Sequence, residues 1–162
     1  MEITIKEALH RGIEAHKAGK VREADQFYTA ILKSQPDHPD ANHNMGVLAV
    51  GIGKINEAIP FFEKAVKAKE EISQYWVSYI DALLKLNKEK EAKIIYEKAI
   101  DKGITEDKII KFKLRFTKDK DLLDKPIEDL KKSLIRLYNQ RRFEEIIEIS
   151  NHFLSKNPTD TF

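Results

Sequence analysis

The sequence predicts an all-α protein built of stacked antiparallel helix pairs, and three observations predict it. An Ala-x-x-x-aromatic step occurs in one register, as Ala24 with Tyr28, Ala58 with Phe62 and Ala92 with Tyr96, each 34 positions after the last. Small residues sit on the helical segment before a step, Ala8, Gly12 and Ala15 before the first, Gly46 and Ala49 before the second. Glycine and proline are scarce, at 6 and 5 residues, as expected where most of the chain is helical. A helix pair cannot bury both of its apolar sides alone, so a fixed period with small residues at the crossing points favours an array in which each pair covers the next.

The elements follow in order. The first repeat spans 5–38: Ala8, Gly12 and Ala15 form a narrow stripe where another helix can come close, and Lys17-Ala18-Gly19-Lys20 makes the turn, with Gly19 suited to a left-handed helix end. The second helix places Ala24, Phe27, Tyr28, Ile31 and Leu32 on one face before Pro36 and Pro39 stop it. The second repeat spans 39–72, with Gly53 at the turn and Asn56 as the expected N-cap, which would leave Pro60 at or just past the first helical turn. Glu70 stands where a terminal proline would mark the boundary, so that boundary is expected to be less sharp. The third repeat spans 73–104 and departs from the pattern at Ile80 and Asn87, where larger residues imply a different helix spacing or a locally rotated pair; Lys102-Gly103 ends it.

The register then breaks. Counting back from Pro158 puts the alanine position at Ile146, 54 residues after Ala92, which is one period of 34 plus an insertion of 20. Residues 105–125 are read as an inserted short helix, over 106–116, and a loop at Thr117–Asp121. Residues 126–162 are read as a divergent fourth helix pair, with Pro126 at a helix start, Leu130, Leu134, Leu137 and Tyr138 in helical spacing, and Phe143, Ile146, Ile147, Ile149 and Phe153 on the partner. Its last apolar face is expected to lack cover.

The 34-residue period, the Ala-x-x-x-aromatic steps, Met45-Gly46 and Trp76 together resemble the tetratricopeptide repeat family. That resemblance implies a right-handed α-solenoid, a superhelix whose first helices line a concave groove, and a non-enzymatic function in protein–protein interaction. Carried over residue by residue, it implies a partner-binding groove lined by Leu9, His10, Ile13, His16 and Lys17, by His43, Asn44, Val47 and Val50, and by Gln74, Val77, Ser78, Asp81 and Leu84. Lys6, Asp40 and Lys85 would stand at its margins. Leu9, Ile13, Val47 and Val77 are the expected apolar anchors for an extended peptide or a helix. The alternative is that these are ordinary exposed residues in an array that binds through its convex side or its ends.

Composition excludes several functions. With 29 basic and 27 acidic residues the net charge is +2, too weak for a nucleic-acid footprint. Arg141 and Arg142 with Lys131, Lys132 and Arg136 are interleaved with Glu128, Asp129, Glu144 and Glu145, as on a solvated helix surface. No cysteine is present, which excludes thiolate chemistry and fits a reducing compartment. Met1–Lys6 has neither the basic flank nor the apolar core of a signal peptide, and the longest apolar run, Met45 to Gly53, is far too short to span a membrane. A cytoplasmic location is expected.

Some tetratricopeptide proteins hold a C-terminal carboxylate with a lysine-and-asparagine clamp; only Asn44 matches it, with Leu9, Ile13, Gln74 and Ser78 at the other positions, so this role is not expected. His10 and His16 are six apart and diverge on a helix, so they, with His43, are read as solvated groups and no metal is expected. Adjacent pairs such as Glu70-Glu71 splay apart, and no phosphate loop or nucleophile motif occurs; neither a cofactor nor an active site is expected. The leading expectation is thus a module that binds another protein or peptide in its groove. A second is that the chain is the N-terminal repeat arm of a bacterial glycosyl- or sulfotransferase, which the runs His43–Val50 and Trp76–Leu83 resemble. A third is a self-associating scaffold, a homodimer formed through the C-terminal helix pair.

Overall fold

Helix starts and stops in this chain are fixed by local backbone chemistry, and the stops repeat. The computed structural model describes residues 3–104, 112, 116, 127–141, 143, 146, 147, 149 and 150. Ile5–Lys17 (α1) and Val21–Ser34 (α2), Pro39–Gly51 (α3) and Ile55–Ala68 (α4), and Ser73–Lys85 (α5) and Glu89–Asp101 (α6) form three successive pairs. Ile127–Asn139 is α7. The chain forms two compact units, Met1–Ile109 and Ile110–Phe162. No strand occurs among the described residues.

Thr4 caps α1 by accepting from the Glu7 amide at 3.1 Å, and His38 caps α3 through Nδ1, which accepts from the Ala41 amide at 3.2 Å, with Pro39 at the first helical position. The stops of α1, α3 and α5 use one device. The Lys20 amide donates to the Ala15 carbonyl at 2.9 Å and the Gly19 amide to His16 at 3.0 Å; Lys54 with Ala49 and Gly53 with Val50, then Lys88 with Leu83 and Asn87 with Leu84, repeat the pair of bonds. This double closure requires a left-handed residue. Gly19 and Gly53 have φ of 71° and 80°, and Asn87 has 58°. Asn87 closes its turn as the two glycines close theirs, because asparagine is among the few side chains that enter this region readily.

Two other expectations are corrected at helix starts. The cap of α4 is Lys54, not Asn56, so Pro60 lies within the helix and past its first turn. Pro60 is exposed, and the helix runs on without the amide that residue lacks. The boundary at Glu70 is firmly held: the Trp76 indole N–H donates to the Glu70 carbonyl at 2.7 Å, and Lys102 Nζ reaches the Glu70 carboxylate at 2.6 Å.

The core lies between neighbours, as the stacking argument requires. One cluster joins Ala15, Ala24 and Tyr28 of the first pair to Met45 and Leu48 of the second. Another joins Ala49, Ala58 and Phe62 of the second pair to Ala82 of the third. Ala24, Ala58 and Ala92 are each 0% exposed, so the repeated alanine marks a crossing point in every pair. The glycines one helix earlier serve the same close approach: a Cβ on Gly12 would lie 2.7 Å from Tyr28 Cε1, and one on Gly46 2.7 Å from Phe62 Cε1. In the third pair Ile80 occupies this register and is fully buried, while Tyr96 is only half-buried.

In the second unit Leu137 of α7 and Ile149 are buried. Tyr138, expected on the packed stripe, is 64% exposed, and Ile135, Phe143 and Ile147 are exposed with it. Of the expected helix over 106–116 only Phe112 and Phe116 are described; their rings are 6.3 Å apart. The loop at Thr117–Asp121, Pro126, Arg142, Phe153 and the end at Pro158 lie outside the described residues.

Candidate functional site

Within the first unit α1 touches α3 and α3 touches α5, so the outer residues of the three first helices form one continuous surface. On α1, His10 and Lys17 are exposed and Leu9, Ile13 and His16 half-buried. Lys17 pairs with Glu14 at 3.0 Å, and the His16 ring sits edge-on to Tyr28 with centroids 6.4 Å apart. Leu9 packs against the clusters that hold Ala15 and Ala8. On α3, His43, Asn44, Val47 and Val50 are half-buried; on α5, Gln74 is exposed and Ser78, Asp81 and Leu84 are half-buried. Val77, expected as an anchor, is only 5% exposed. It lies on the edge of the inward stripe of Trp76, Ile80 and Leu83, which removes it from the accessible surface.

The α3–α5 seam is the most structured part of this face. His43 Nε2 and Ser78 Oγ are 3.0 Å apart, and Gln74 Nε2 donates to the same Ser78 oxygen at 3.3 Å. The Ser78 hydroxyl has one proton and two lone pairs, so it bonds both side chains at once, and the imidazole tautomer sets which way the His43 bond runs. The imidazole stacks on Tyr75 at 4.8 Å and tilts over Phe62 at 5.9 Å. The Tyr75 hydroxyl donates to Asp40 Oδ1 at 2.5 Å. Burial, then the hydrogen bond to Asp40 and its charge, push the Tyr75 phenol well above its ordinary range. His43 is therefore a packed residue and not the solvated group that its spacing suggested.

Burial lowers the His43 pKa below its ordinary value of 6.5, against the smaller raising effects of Asn44 and Asp40. The sign of the consequence is fixed. Above 6.5 the ring is neutral in both the folded and the unfolded chain; below it the unfolded chain takes up the proton first, so stability falls as the pH drops through the interval below 6.5. Urea midpoints measured across that interval should fall more for the wild type than for His43→Gln, and parallel slopes would remove His43 as the cause.

Beside this network a shallow cavity of about 170 Å³ opens, lined by Val47, Val50, Phe62, Ser78, Asp81, Ala82 and Lys85. It brings together four of the expected groove residues, Val47, Val50, Ser78 and Asp81, and adds the ring of Phe62 as an apolar wall. Sequence reasoning missed Tyr75 and the two cross-repeat contacts, Asp40 with Tyr75 and His43 with Ser78, each separated by 35 residues. No cluster of three or more metal-ligating side chains occurs among the described residues, and no described helix is long and apolar enough to cross a membrane.

Residues 39–72 and 74–101 match the tetratricopeptide repeat family. Those two stretches are similar to tetratricopeptide repeats, and the helix pairs have the fold of that family. The solved structures agree on the fold: the tetratricopeptide domain of P58(IPK), 18% identical with a TM-score of 0.62, covers 93% of this chain and 41% of its own. A MamA mutant is 20% identical, with a TM-score of 0.58 and coverage of 93% of this chain and 78% of that one. The pilF protein of Pseudomonas aeruginosa is 16% identical, with a TM-score of 0.61 and coverage of 92% and 65%. The chain thus spans less than half of the P58(IPK) structure. No curated protein sequence matches it. Tetratricopeptide repeats are in general protein–protein interaction modules, and their helix pairs supply surface and not reactive groups.

Proposed function

We propose that this chain is a non-enzymatic interaction module that binds a peptide or helix of another protein along the face of α1, α3 and α5. The observation that carries this reading is the cavity at the α3–α5 seam. A concave, mostly apolar pocket with a few fixed polar groups is the usual form of a recognition site. Leu9, Ile13 and Leu84 extend the apolar contact on either side, while His10, Lys17 and Gln74 supply a polar rim. The anchors are Leu9, Ile13, Val47 and Val50, with Val77 left out because it is buried.

Truncating Val47 and Val50 to alanine together tests this. Each removes partly buried methyl groups, so the loss should be about 1–3 kcal/mol, or roughly five- to hundredfold in affinity for a partner purified from the native host. Helicity by circular dichroism should not change. Undiminished affinity in a folded double variant would reject the groove.

A second reading, self-association through the second unit, is favoured by the exposed side chains of Ile135, Tyr138, Phe143 and Ile147, of which Tyr138 and Phe143 meet edge-on at 5.6 Å. A solution mass that doubles with concentration distinguishes it. The transferase-arm reading rests on the likeness of residues 43–50 and 76–83 alone, and the gene sequence downstream decides it.

A further inference from the structure

We infer that the α3–α5 cavity takes a single leucine- to phenylalanine-sized side chain from a partner peptide whose adjacent residue is acidic, with Lys85 holding that carboxylate. This deepens the groove reading above and rests on it.

The size argument comes first. A cavity of about 150 Å³ lined by aliphatic and aromatic side chains accommodates benzene, and the cavity here is about 170 Å³. One branched aliphatic side chain or one phenyl ring fills it, whereas an alanine methyl would leave most of it empty. The walls supplied by Val47, Val50, Phe62 and Ala82 are apolar, so they reward an apolar occupant.

The polar groups then fix what lies beside that occupant. Ser78 already accepts from Gln74 and bonds His43, so it has little left for a ligand. Asp81 is engaged within the chain. Among the described residues Lys85 alone of the charged lining groups has neither an ion pair nor a hydrogen bond. It is exposed, in the last turn of α5. Lys85 is thus the charged lining group left to pair with a ligand, and the complementary neighbour of the buried side chain is a carboxylate.

The experiment uses three capped peptides in a glycine–serine host, with Leu-Glu, Leu-Lys or Ala-Glu at the centre, titrated at low ionic strength into the methyl-labelled full chain. The Leu-Glu peptide should shift the Val47, Val50 and Ala82 methyl signals. Ala-Glu should bind about thirtyfold more weakly, through loss of the buried side chain, and Leu-Lys about tenfold more weakly, through reversal of the charge contact. Lys85→Glu should invert the order of Leu-Glu and Leu-Lys, and Lys85→Gln should equalise them, so that either variant alone suffices if the other does not fold. Equal binding of Leu-Glu and Leu-Lys to the wild type would overturn the acidic preference while leaving the groove in place. Failure of every peptide to move these three residues, when a native partner does move them, would overturn the side-chain socket. Peptide-induced shifts confined to the α2 and α6 methyls of Val21, Ile94 and Ile100 would overturn both.

Discussion

Phe62→Ala is expected to cost about 3–5 kcal/mol and to lower the urea midpoint of the first unit more than any change on the groove face. Phe62 is 1% exposed. It sits in the cluster that joins Ala49 and Ala58 of its own pair to Ala82 of the next. Its ring also closes on Gly46 and lies beneath His43. Removing it opens a void bounded by α3, α4 and α5 together, and alanine-sized neighbours cannot move in to fill it. Because repeat arrays are stabilised by nearest-neighbour contacts, the second and third pairs should lose stability as one. Circular dichroism during urea titration measures the effect. A shift no larger than that of an exposed α4 residue such as Glu63→Ala would show that the ring is not the element joining these pairs.

Gly46→Val is expected to destabilise by about 1–3 kcal/mol, with Gly51→Val close to neutral. Valine and glycine differ little in helix propensity, so the contrast isolates packing. A Cβ at Gly46 would meet the Phe62 ring at 2.7, 2.9 and 3.0 Å, whereas one at Gly51 would meet nothing within 4 Å. Phe62→Leu should partly relieve the Gly46→Val defect, because the colliding atoms are the far edge of the ring. Unfolding curves for the two single valine variants and for the Gly46→Val/Phe62→Leu pair measure it. Equal losses at the two glycines, or no coupling with Phe62, would place the closest approach of α3 and α4 elsewhere.

These two residues also show why much of the fold was legible beforehand. The 34-residue register identified Gly46, Ala58 and Phe62 because close helix crossings tolerate few side chains, and that restriction repeats in every pair. The turns at Gly19 and Gly53 were legible for a similar reason: a left-handed position narrows the choice of residue. Asn87 departs from the glycine pattern yet serves the same kind of turn, because that backbone state also admits asparagine. Asn56 was taken as the cap of α4 by residue type, but the Schellman-type stop of α3 carries the chain directly from Gly53 into α4 by way of Lys54.

The candidate site was legible in part. Val47, Val50, Ser78 and Asp81, expected from the family resemblance, line the cavity, whereas Val77, expected with them, lies on the edge of the inward stripe and is buried. The links from Asp40 to Tyr75 and from His43 to Ser78 escaped because they join residues 35 apart. Aligning repeats at 34 sets equivalent positions side by side, while contacts between neighbouring first helices fall one residue off that register. Tyr138 follows Leu134 by four residues on the apolar face of an amphipathic helix, and helical phase alone does not say how much of that face is covered.

The most direct test of the central claim is a methyl shift map of the full chain with a purified native partner. Signals of Leu9, Ile13, Val47, Val50 and Leu84, on the first helices, should move, and those of Val21, Ile94 and Ile100, on the second helices, should stay in place. The opposite pattern, with Val21, Ile94 and Ile100 displaced and Val47 and Val50 unmoved, would contradict it.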